Sequence, residues 1–216
     1  MKDNNLKDLV IYGAGGLGRE ILSLIMRDYA NVWKVIGFID DAQNSTETVD
    51  GLSVYKKDFL QSRSLAVVIA IGDPLIKAKV WEDLLQNTNL TFPNIISRKA
   101  CIDTNAHIGQ GNIITDFCWI STNTIIEDGV LINVATTVGH DAKVGSYTSI
   151  MPQCAISGHV EIGCRVLIGA KSFILQDKHI GQNAVIAAGS CVFRSIDEYE
   201  TVWGNPAHTL VKNNRK

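Results

Sequence analysis

The spacing of apolar residues along the chain changes near residue 100. Before that point, short apolar runs are separated by glycine, proline and polar residues. Strands are predicted at about residues 9–12, 35–39, 66–71 and 90–95. Helices are predicted from the glycines after the first strand to about Tyr29, and from Pro74 to about Gln86. The order β-α-β-β-α-β predicts an α/β unit with a parallel sheet, one Rossmann-like mononucleotide-binding half.

From Ile102 to the hexad that ends at Asp197, one branched apolar residue recurs every six positions. These first positions are Ile102, Ile108, Ile114, Ile120, Ile126, Ile132, Val138, Val144, Ile150, Ile156, Ile162, Ile168, Ile174, Ile180, Ile186 and Val192. A period of six fits neither a helix nor an alternating strand, but it fits short strands joined by turns, with one branched side chain per side pointing inward. Because three hexads would close a triangular coil, the repeat predicts slightly more than five stacked coils.

A glycine motif follows the first predicted strand. Gly13, Gly15 and Gly18 complete G-x-G-x-x-G at the start of a predicted helix. Glycines there let the backbone approach a phosphate group at the helix N-terminus, and Asp40 or Asp41, after the next strand, could hold a sugar hydroxyl or a base. A tight turn without a ligand is the alternative. The unit is about half of a dinucleotide-binding domain, which argues against NAD and favours a nucleotide attached to another group.

The five histidines show no short spacing typical of a zinc site. They are His107, His140, His159, His179 and His208. Because none forms H-x-x-x-H or H-E-x-x-H, no metal is expected. Only His140 is followed by an acid: Asp141 could hold one imidazole nitrogen and leave the other free to accept a proton, as a general base requires. On spacing alone, a solvated turn residue is an equally good interpretation of His140.

Composition excludes several other classes of function. The net charge is -2 and no basic stripe with interleaved aromatic residues occurs, so nucleic acid is not an expected partner. No apolar run reaches about 18 residues and the N-terminus lacks the pattern of a signal peptide, so a cytoplasmic protein without a membrane span is expected. Five cysteines without a C-x-x-C pair favour neither a disulfide framework nor a structural zinc site.

Residues 102–197 resemble the hexapeptide-repeat acyltransferases, whose repeats form a left-handed parallel β-helix, and G-N-P-A at residues 204–207 is similar to the G-x-P-A segment near the end of many members. A small βαβ domain fused to such a helix resembles the bacterial sugar acyltransferases that acetylate nucleotide-linked amino sugars or sialic acids. The resemblance implies a Rossmann-like nucleotide-sugar-binding domain over residues 1–97 and an all-β acyltransferase domain with a C-terminal tail over residues 98–216. It also implies acetyl-CoA as co-substrate and a homotrimer with active sites between subunits.

The same resemblance implies site residues. Substrate contacts are expected at Gly13, Gly15, Gly16, Leu17, Asp40, Asp41 and Gly72, although many relatives have histidine at the position of Leu17. The motif [N]-x6-H-[ED] of the amino-sugar acetyltransferases matches Asn133, His140 and Asp141, which implies that His140 is the catalytic base. Acetyl-CoA contacts are expected at Ser149, Gly158, Ala170 and Ala188. His159 is interpreted as a polar turn residue or a coenzyme A contact.

The expected reaction is N-acetylation of a nucleotide-linked amino sugar of the 4-amino-4,6-dideoxy type, by direct attack of the amine on the thioester. A backbone N–H near Gly158 is expected to hold the carbonyl oxygen. O-acetylation of sialic acid or another sugar is the first alternative, because the same His-Asp pair could deprotonate a hydroxyl. A non-catalytic trimer that binds a nucleotide sugar is the second.

Overall fold

An N-terminal α/β part and a parallel β-solenoid make up the computed structural model, which describes residues 6–42 and 48–210. The predicted fold class, a Rossmann-like half domain followed by a left-handed parallel β-helix, is confirmed. The described residues do not include residues 1–5, at the start of the first predicted domain, or residues 211–216, in the predicted C-terminal tail. No helix among the described residues is long and apolar enough to cross a membrane.

The described residues of the α/β part form one six-stranded sheet and two helices. The strands are β1 (Lys7–Tyr12), β2 (Trp33–Ile39), β3 (Thr48–Val49), β4 (Leu52–Tyr55), β5 (Leu65–Ile69) and β6 (Leu90–Thr91). The helices are α1 (Gly16–Asp28) and α2 (Pro74–Leu84), with a short 3₁₀ turn at Lys57–Leu60. The strand order is β3-β4-β2-β1-β5-β6, and only the β3–β4 hairpin is antiparallel.

Two features of this part differ from the sequence-based prediction. The β3–β4 hairpin was not predicted, because its strands are short and lack a clear apolar alternation. The strand predicted at residues 90–95 is divided: Leu90–Thr91 pairs with β5, whereas Ile95–Ile96 pairs with Ile113–Ile114 and begins the solenoid. Pro93 stands between the two pieces, and proline has no N–H to give to a ladder. The domain boundary after residue 97 stays a prediction.

The solenoid has three faces built from two-residue strands. The first face contains Ile95–Ile96, Ile113–Ile114, Leu131–Ile132, Ser149–Ile150, Leu167–Ile168, Val185–Ile186 and Thr201–Trp203, with His208–Thr209 added antiparallel. The second face contains Cys101–Ile102, Trp119–Ile120, Thr137–Val138, Ala155–Ile156, Phe173–Ile174 and Cys191–Val192. The third face contains His107–Ile108, Ile125–Ile126, Lys143–Val144, Glu161–Ile162 and His179–Ile180.

Successive coils are stacked with a period of eighteen residues, as in the pairing of Ile113 with Leu131. The branched residues predicted to point inward form the solenoid core from Ile114 to Val192. Ile102 and Ile108 are only partly buried, because they lie in the first coil, which has a neighbouring coil on one side only. The turns from the first to the second face form the first corner, and those from the second to the third face form the second corner.

The α/β part packs on the first face of the solenoid. Outward-facing Ile113 and Leu131 belong to the same apolar cluster as Leu24 of α1. On α2, Lys77 Nζ donates to Thr148 O at 3.1 Å, which joins this helix to the same face. The packing therefore lays the α/β part across the first face, with α1 at the first corner, where Arg27 Nη2 donates to Asp116 Oδ1 at 2.6 Å.

Candidate active site

The carboxyl ends of β1, β2 and β5 meet at one edge of the α/β sheet, called the nucleotide edge below. Gly13 N–H donates to Ile39 O, and Ala70 N–H donates to Tyr12 O, each at 2.8 Å. The segments that follow these strands carry Gly13 to Leu17, of which the last two begin α1, then Asp40 and Asp41, and Gly72. The structure thus brings the predicted substrate-binding residues together, at the edge where open α/β sheets bind nucleotides.

The glycines after β1 are required for two different reasons. At Gly13 φ is +107°, and a Cβ would lie 2.7 Å from Ala70 O. A Cβ at Gly15 or Gly16 would have no other atom within 4 Å, so the backbone there is open to a ligand. Gly15 is the N-cap of α1 and supplies no side-chain cap, which leaves the first N–H groups of the helix available to an anion such as a phosphate. Arg19, one turn into α1, lines a cleft together with Gly15 and Gly16.

The two acidic residues of the second loop are held by hydrogen bonds from the protein. Asp40 Oδ2 accepts from Ala14 N–H at 3.1 Å, so the carboxylate ties the second loop to the first. Asp41 Oδ2 accepts from the Tyr12 hydroxyl at 3.1 Å, and its Oδ1 accepts from Lys57 N–H at 2.9 Å. Burial first, and then Asp41, hold the pKa of Tyr12 well above its usual range. Each carboxylate oxygen can accept a second hydrogen bond, so both groups can still contact a sugar or a base.

Leu17 and Gly72 lie at the nucleotide edge. Leu17 is partly buried and packs against the apolar core of the α/β part. It can therefore shape a pocket, but it cannot give the polar contact that a histidine would give. A Cβ at Gly72 would lie 3.7 Å from Met151 Cε, so this loop lies against the first corner of the solenoid.

His140 and Asp141 lie together at the second corner. His140 Nδ1 is 2.8 Å from Asp141 Oδ2, and Asn123 Nδ2 donates to Asp141 Oδ1 at 3.1 Å. The hydrogen bond to His140, and then the one to Asn123, hold the pKa of the Asp141 carboxyl below its usual range. The carboxylate therefore stays ionised and can hold the Nδ1 proton, so that Nε2 is left as the acceptor.

The eighteen-residue period stacks two further polar residues on Asp141. Asn123 lies one coil before it and His159 one coil after it, and all three have left-handed backbone conformations with φ between 55° and 59°. His159 Nε2 is 3.9 Å from Asp141 Oδ2, and the rings of His140 and His159 meet edge to face with centroids 5.0 Å apart. Sequence reasoning did not connect Asn123 or His159 with Asp141, although a spacing of eighteen residues was the available signal.

Gly158 lies directly beneath the imidazole of His140. A Cβ at this position would be 2.6 Å from His140 Nε2, so only glycine leaves room for the ring. Among the described residues, none accepts a hydrogen bond from the Gly158 N–H. The second corner thus combines a candidate base with a free backbone donor.

Asn133, Ala170 and Ala188 lie at the first corner and not beside His140. Asn133 Oδ1 accepts from Thr115 Oγ1 at 3.2 Å and from Val134 N–H at 2.7 Å. One full side of a coil separates the two corners, on the order of 15–20 Å for six nearly extended residues. Within one chain, the predicted catalytic residues are therefore divided between two corners.

The acetyl-CoA contact expected at Ser149 does not fit its position. Ser149 is fully buried on the first face, where its Oγ accepts from Lys77 Nζ at 2.9 Å. Helix α2 covers this strand, so the Ser149 side chain is closed to a ligand. The hexad pattern shows that Ser149 points out of the coil, but it carries no information about what packs over it.

Comparisons with known proteins agree with this architecture. Residues 8–84 match the PglD N-terminal domain family. The GDP-perosamine N-acetyltransferase of Escherichia coli O157:H7 is 30% identical over 94% of this chain and 96% of its own length. The acetyltransferase domain of PglB from Neisseria gonorrhoeae FA1090 is 27% identical, with a TM-score of 0.87 over 94% of this chain and 100% of its own. That domain has also been solved in complex with acetyl coenzyme A.

Proposed function

Because the chain belongs to the hexapeptide-repeat family of sugar acetyltransferases, we propose that it transfers an acetyl group from acetyl-CoA to the amine of a nucleotide-linked amino sugar of the 4-amino-4,6-dideoxy type. One observation carries the proposal: a single chain contains both the nucleotide edge and a His140–Asp141 pair, in which Asn123 holds the Asp141 carboxylate by a hydrogen bond. The substrate named for the Escherichia coli relative makes a GDP-linked sugar the first candidate.

His140 is the proposed general base. Asp141 holds the proton on Nδ1, and Nε2 takes a proton from the sugar amine as its nitrogen attacks the thioester carbonyl carbon. The carbon–nitrogen bond forms, the carbonyl oxygen becomes an oxyanion, and the Gly158 N–H donates to it. Collapse of this intermediate breaks the carbon–sulfur bond and releases the coenzyme A thiolate, which accepts the proton from His140. General-base help of this kind is worth about 10²–10⁴ in rate.

A homotrimer completes the proposed site. The nucleotide edge adjoins the first corner, whereas His140 lies at the second, so a sugar held at the edge meets a base only where another copy supplies it. Outward-facing apolar side chains support such contacts: Trp119 on the second face is 53% exposed and Ile125 on the third is 39% exposed. In this arrangement, acetyl-CoA lies between Gly158 of one copy and Ala170 and Ala188 of its neighbour.

The proposal is tested by incubating the protein with acetyl-CoA and 4-amino-4,6-dideoxy sugars linked to GDP, UDP or dTDP, while thiol release is followed. A GDP-hexose without an amine is the matched control, and free sialic acid is a separate arm. Turnover of one amino sugar, with acetylation of its nitrogen shown by mass spectrometry, is expected. Turnover of sialic acid alone would replace N-acetylation by O-acetylation. Nucleotide-sugar binding without thiol release would indicate a binding protein.

The role of the base is tested by His140→Ala. A loss of about 10²-fold or more in kcat is expected, with the oligomeric state unchanged. Full activity in a variant that remains trimeric would exclude His140 as the base.

A further inference from the structure

The second corner brings together three metal-ligating side chains that no short motif connects. Donor atoms of His140, Asp141 and His159 all lie within 4.8 Å of one another. We propose that these residues form a binding site for a divalent transition-metal ion of the zinc class, and that the bound ion switches off the catalytic base. The inhibitory part of this inference rests on the proposed function, whereas the binding part does not.

The distances suit a four-coordinate ion. Zinc bonds to nitrogen and oxygen are about 2.0–2.2 Å long, so ligand atoms at a tetrahedral ion lie about 3.3–3.6 Å apart. Two of the separations bracket this value, at 2.8 Å from His140 Nδ1 to Asp141 Oδ2 and 3.9 Å from His159 Nε2 to the same oxygen. All three donor atoms lie within 4.8 Å of one another, so side-chain adjustments on the order of 1 Å would bring them to bonding distance of one ion.

The surroundings of the cluster also favour an ion. The side chains of both histidines are 55% exposed and that of Asp141 is 37% exposed, so an ion can enter and a water molecule can take the fourth position. Asn123 Nδ2 donates to Asp141 Oδ1, the carboxylate oxygen that would not bind the ion, and hydrogen bonds of this kind orient metal ligands. His159 N–H donates to His140 O at 2.9 Å, which fixes the two histidine backbones relative to each other.

The donor set selects the class of ion. Two imidazole nitrogens and one carboxylate oxygen suit Zn²⁺, Co²⁺, Ni²⁺, Cu²⁺ or Fe²⁺, whereas Mg²⁺ and Ca²⁺ prefer oxygen ligands. The absence of H-x-x-x-H and H-E-x-x-H predicted no metal, but those motifs describe ligands on one helix. Here His140 and Asp141 are adjacent in the chain, and His159 follows Asp141 by eighteen residues. The coil period, and not a helix turn, places His159 beside Asp141.

Binding of the ion would remove the base through the tautomer of His140. In the proposed mechanism Nδ1, which lies 2.8 Å from Asp141 Oδ2, carries the proton that faces this carboxylate. An ion on Nδ1 displaces this proton, and a neutral imidazole with its single proton on Nε2 has no lone pair with which to accept a proton from an amine. A metal-loaded chain is therefore expected to be inactive, and a chelator is expected to restore its activity.

The binding test uses the full chain without a histidine tag, freed of metal by a chelator and titrated with Co²⁺, whose visible absorption reports coordination. One ion per chain is expected, and Zn²⁺ is expected to displace it. His159→Asn should weaken binding by at least about tenfold, as expected for the loss of a ligand. Asparagine tolerates the left-handed backbone of this position, so the fold should be kept. His179→Asn, an exposed histidine on the third face, is the matched control and should bind as the parent does.

Unchanged affinity in His159→Asn, or no binding by the parent, would overturn the site. The inhibition test compares each protein with its own metal-free rate: Zn²⁺ should inhibit the parent and His179→Asn reversibly, and should inhibit His159→Asn only at concentrations about tenfold higher or more. Binding without inhibition would contradict the tautomer argument. Since Co²⁺ absorption needs no turnover, failure of the proposed enzyme activity would leave the result for the site unaffected.

Discussion

Lys77 Nζ lies 2.9 Å from Ser149 Oγ and joins helix α2 to the first face of the solenoid. The side chain is buried, and its other acceptor is a backbone carbonyl, Thr148 O at 3.1 Å. Burial lowers the pKa of Lys77 to about 7, while Asp73 opposes this effect. The contact between the two parts of the protein therefore contains an amine that loses its charge near neutral pH.

Lys77 should make the protein more stable as the pH rises from about 7 to about 10. In this range the unfolded chain keeps a proton on Lys77 that the folded chain has released, so the free energy of unfolding rises by up to about 1.4 kcal/mol per pH unit. Lys77→Met should lose this part of the slope, whereas Lys79→Met, on the exposed side of the same helix, should keep it. Urea unfolding at several pH values measures the slopes, and equal slopes in both variants would contradict the expectation.

Arg27 should stabilise the contact between α1 and the first corner. Its Nη2 donates to Asp28 Oδ2 at 2.8 Å and to Asp116 Oδ1 at 2.6 Å, so Arg27→Met would leave two poorly exposed carboxylates without this partner. A loss of about 1–3 kcal/mol at pH 7 is expected. Arg19→Met is the control, because its pair with Asp50 is exposed and should contribute less than about 1 kcal/mol.

The same network predicts the acid response. Hydrogen bonds from Arg27 lower the pKa of Asp28 to about 2 and hold that of Asp116 well below its usual range. Both carboxyls therefore contribute their stability in full above about pH 4, and the contribution is lost as the pH falls towards the folded pKa values. Denaturation between pH 5 and pH 2 should show a shallower dependence on pH in Arg27→Met than in the native chain; the same dependence would argue against these pairs.

Gly158→Ala should lower activity without unfolding the protein. The new Cβ would meet the His140 ring at 2.6 Å from Nε2 and push it aside, and a displacement of this kind can cost on the order of 10²-fold in kcat. Gln176→Ala, one coil further along the same corner, removes an exposed side chain and should leave kcat unchanged. Equal rates for both variants, with thermal stability near that of the native protein, would show that His140 needs no such space.

Asn123→Gly should reduce kcat by about fivefold, which corresponds to one hydrogen bond of about 1 kcal/mol. Glycine is chosen because φ at Asn123 is 55°, so the amide is removed without strain in the backbone. Asp177→Gly, at the same left-handed position two coils beyond Asp141, is the control. A loss confined to Asn123→Gly would indicate that the amide acts through Asp141, and no loss would show that Asp141 holds its orientation without it.

Mixed trimers should reveal whether the site is shared between subunits. His140→Ala chains lack the base at the second corner, and Ala188→Trp chains should block the acetyl-CoA groove at the exposed first corner. Each variant alone should be inactive. Random one-to-one trimers should recover about a quarter of the native activity, because one site in four combines an intact second corner with an intact neighbouring first corner. No recovery in verified mixed trimers would mean that one chain holds the complete site.

The coils were predictable from sequence because their structure is local and repeated. Each inward position, such as Ile120 or Val138, faces the same environment in every coil, so the hexad pattern is a direct record of burial. The edge of the α/β sheet was also predictable, because loops that follow parallel strands meet at one end. The contact between His140 and Asp141 was predictable because the two residues are adjacent in the chain.

Contacts between separate elements were decided by the tertiary structure. Only the eighteen-residue stacking of coils brings Asn123 and His159 to Asp141, and only the packing of α2 on the first face closes Ser149 beneath Lys77. The periodicity of apolar residues indicates on which side of its own strand or helix a residue lies. It does not record which other element covers that side, because such packing depends on the shapes and side chains of segments far away in the chain.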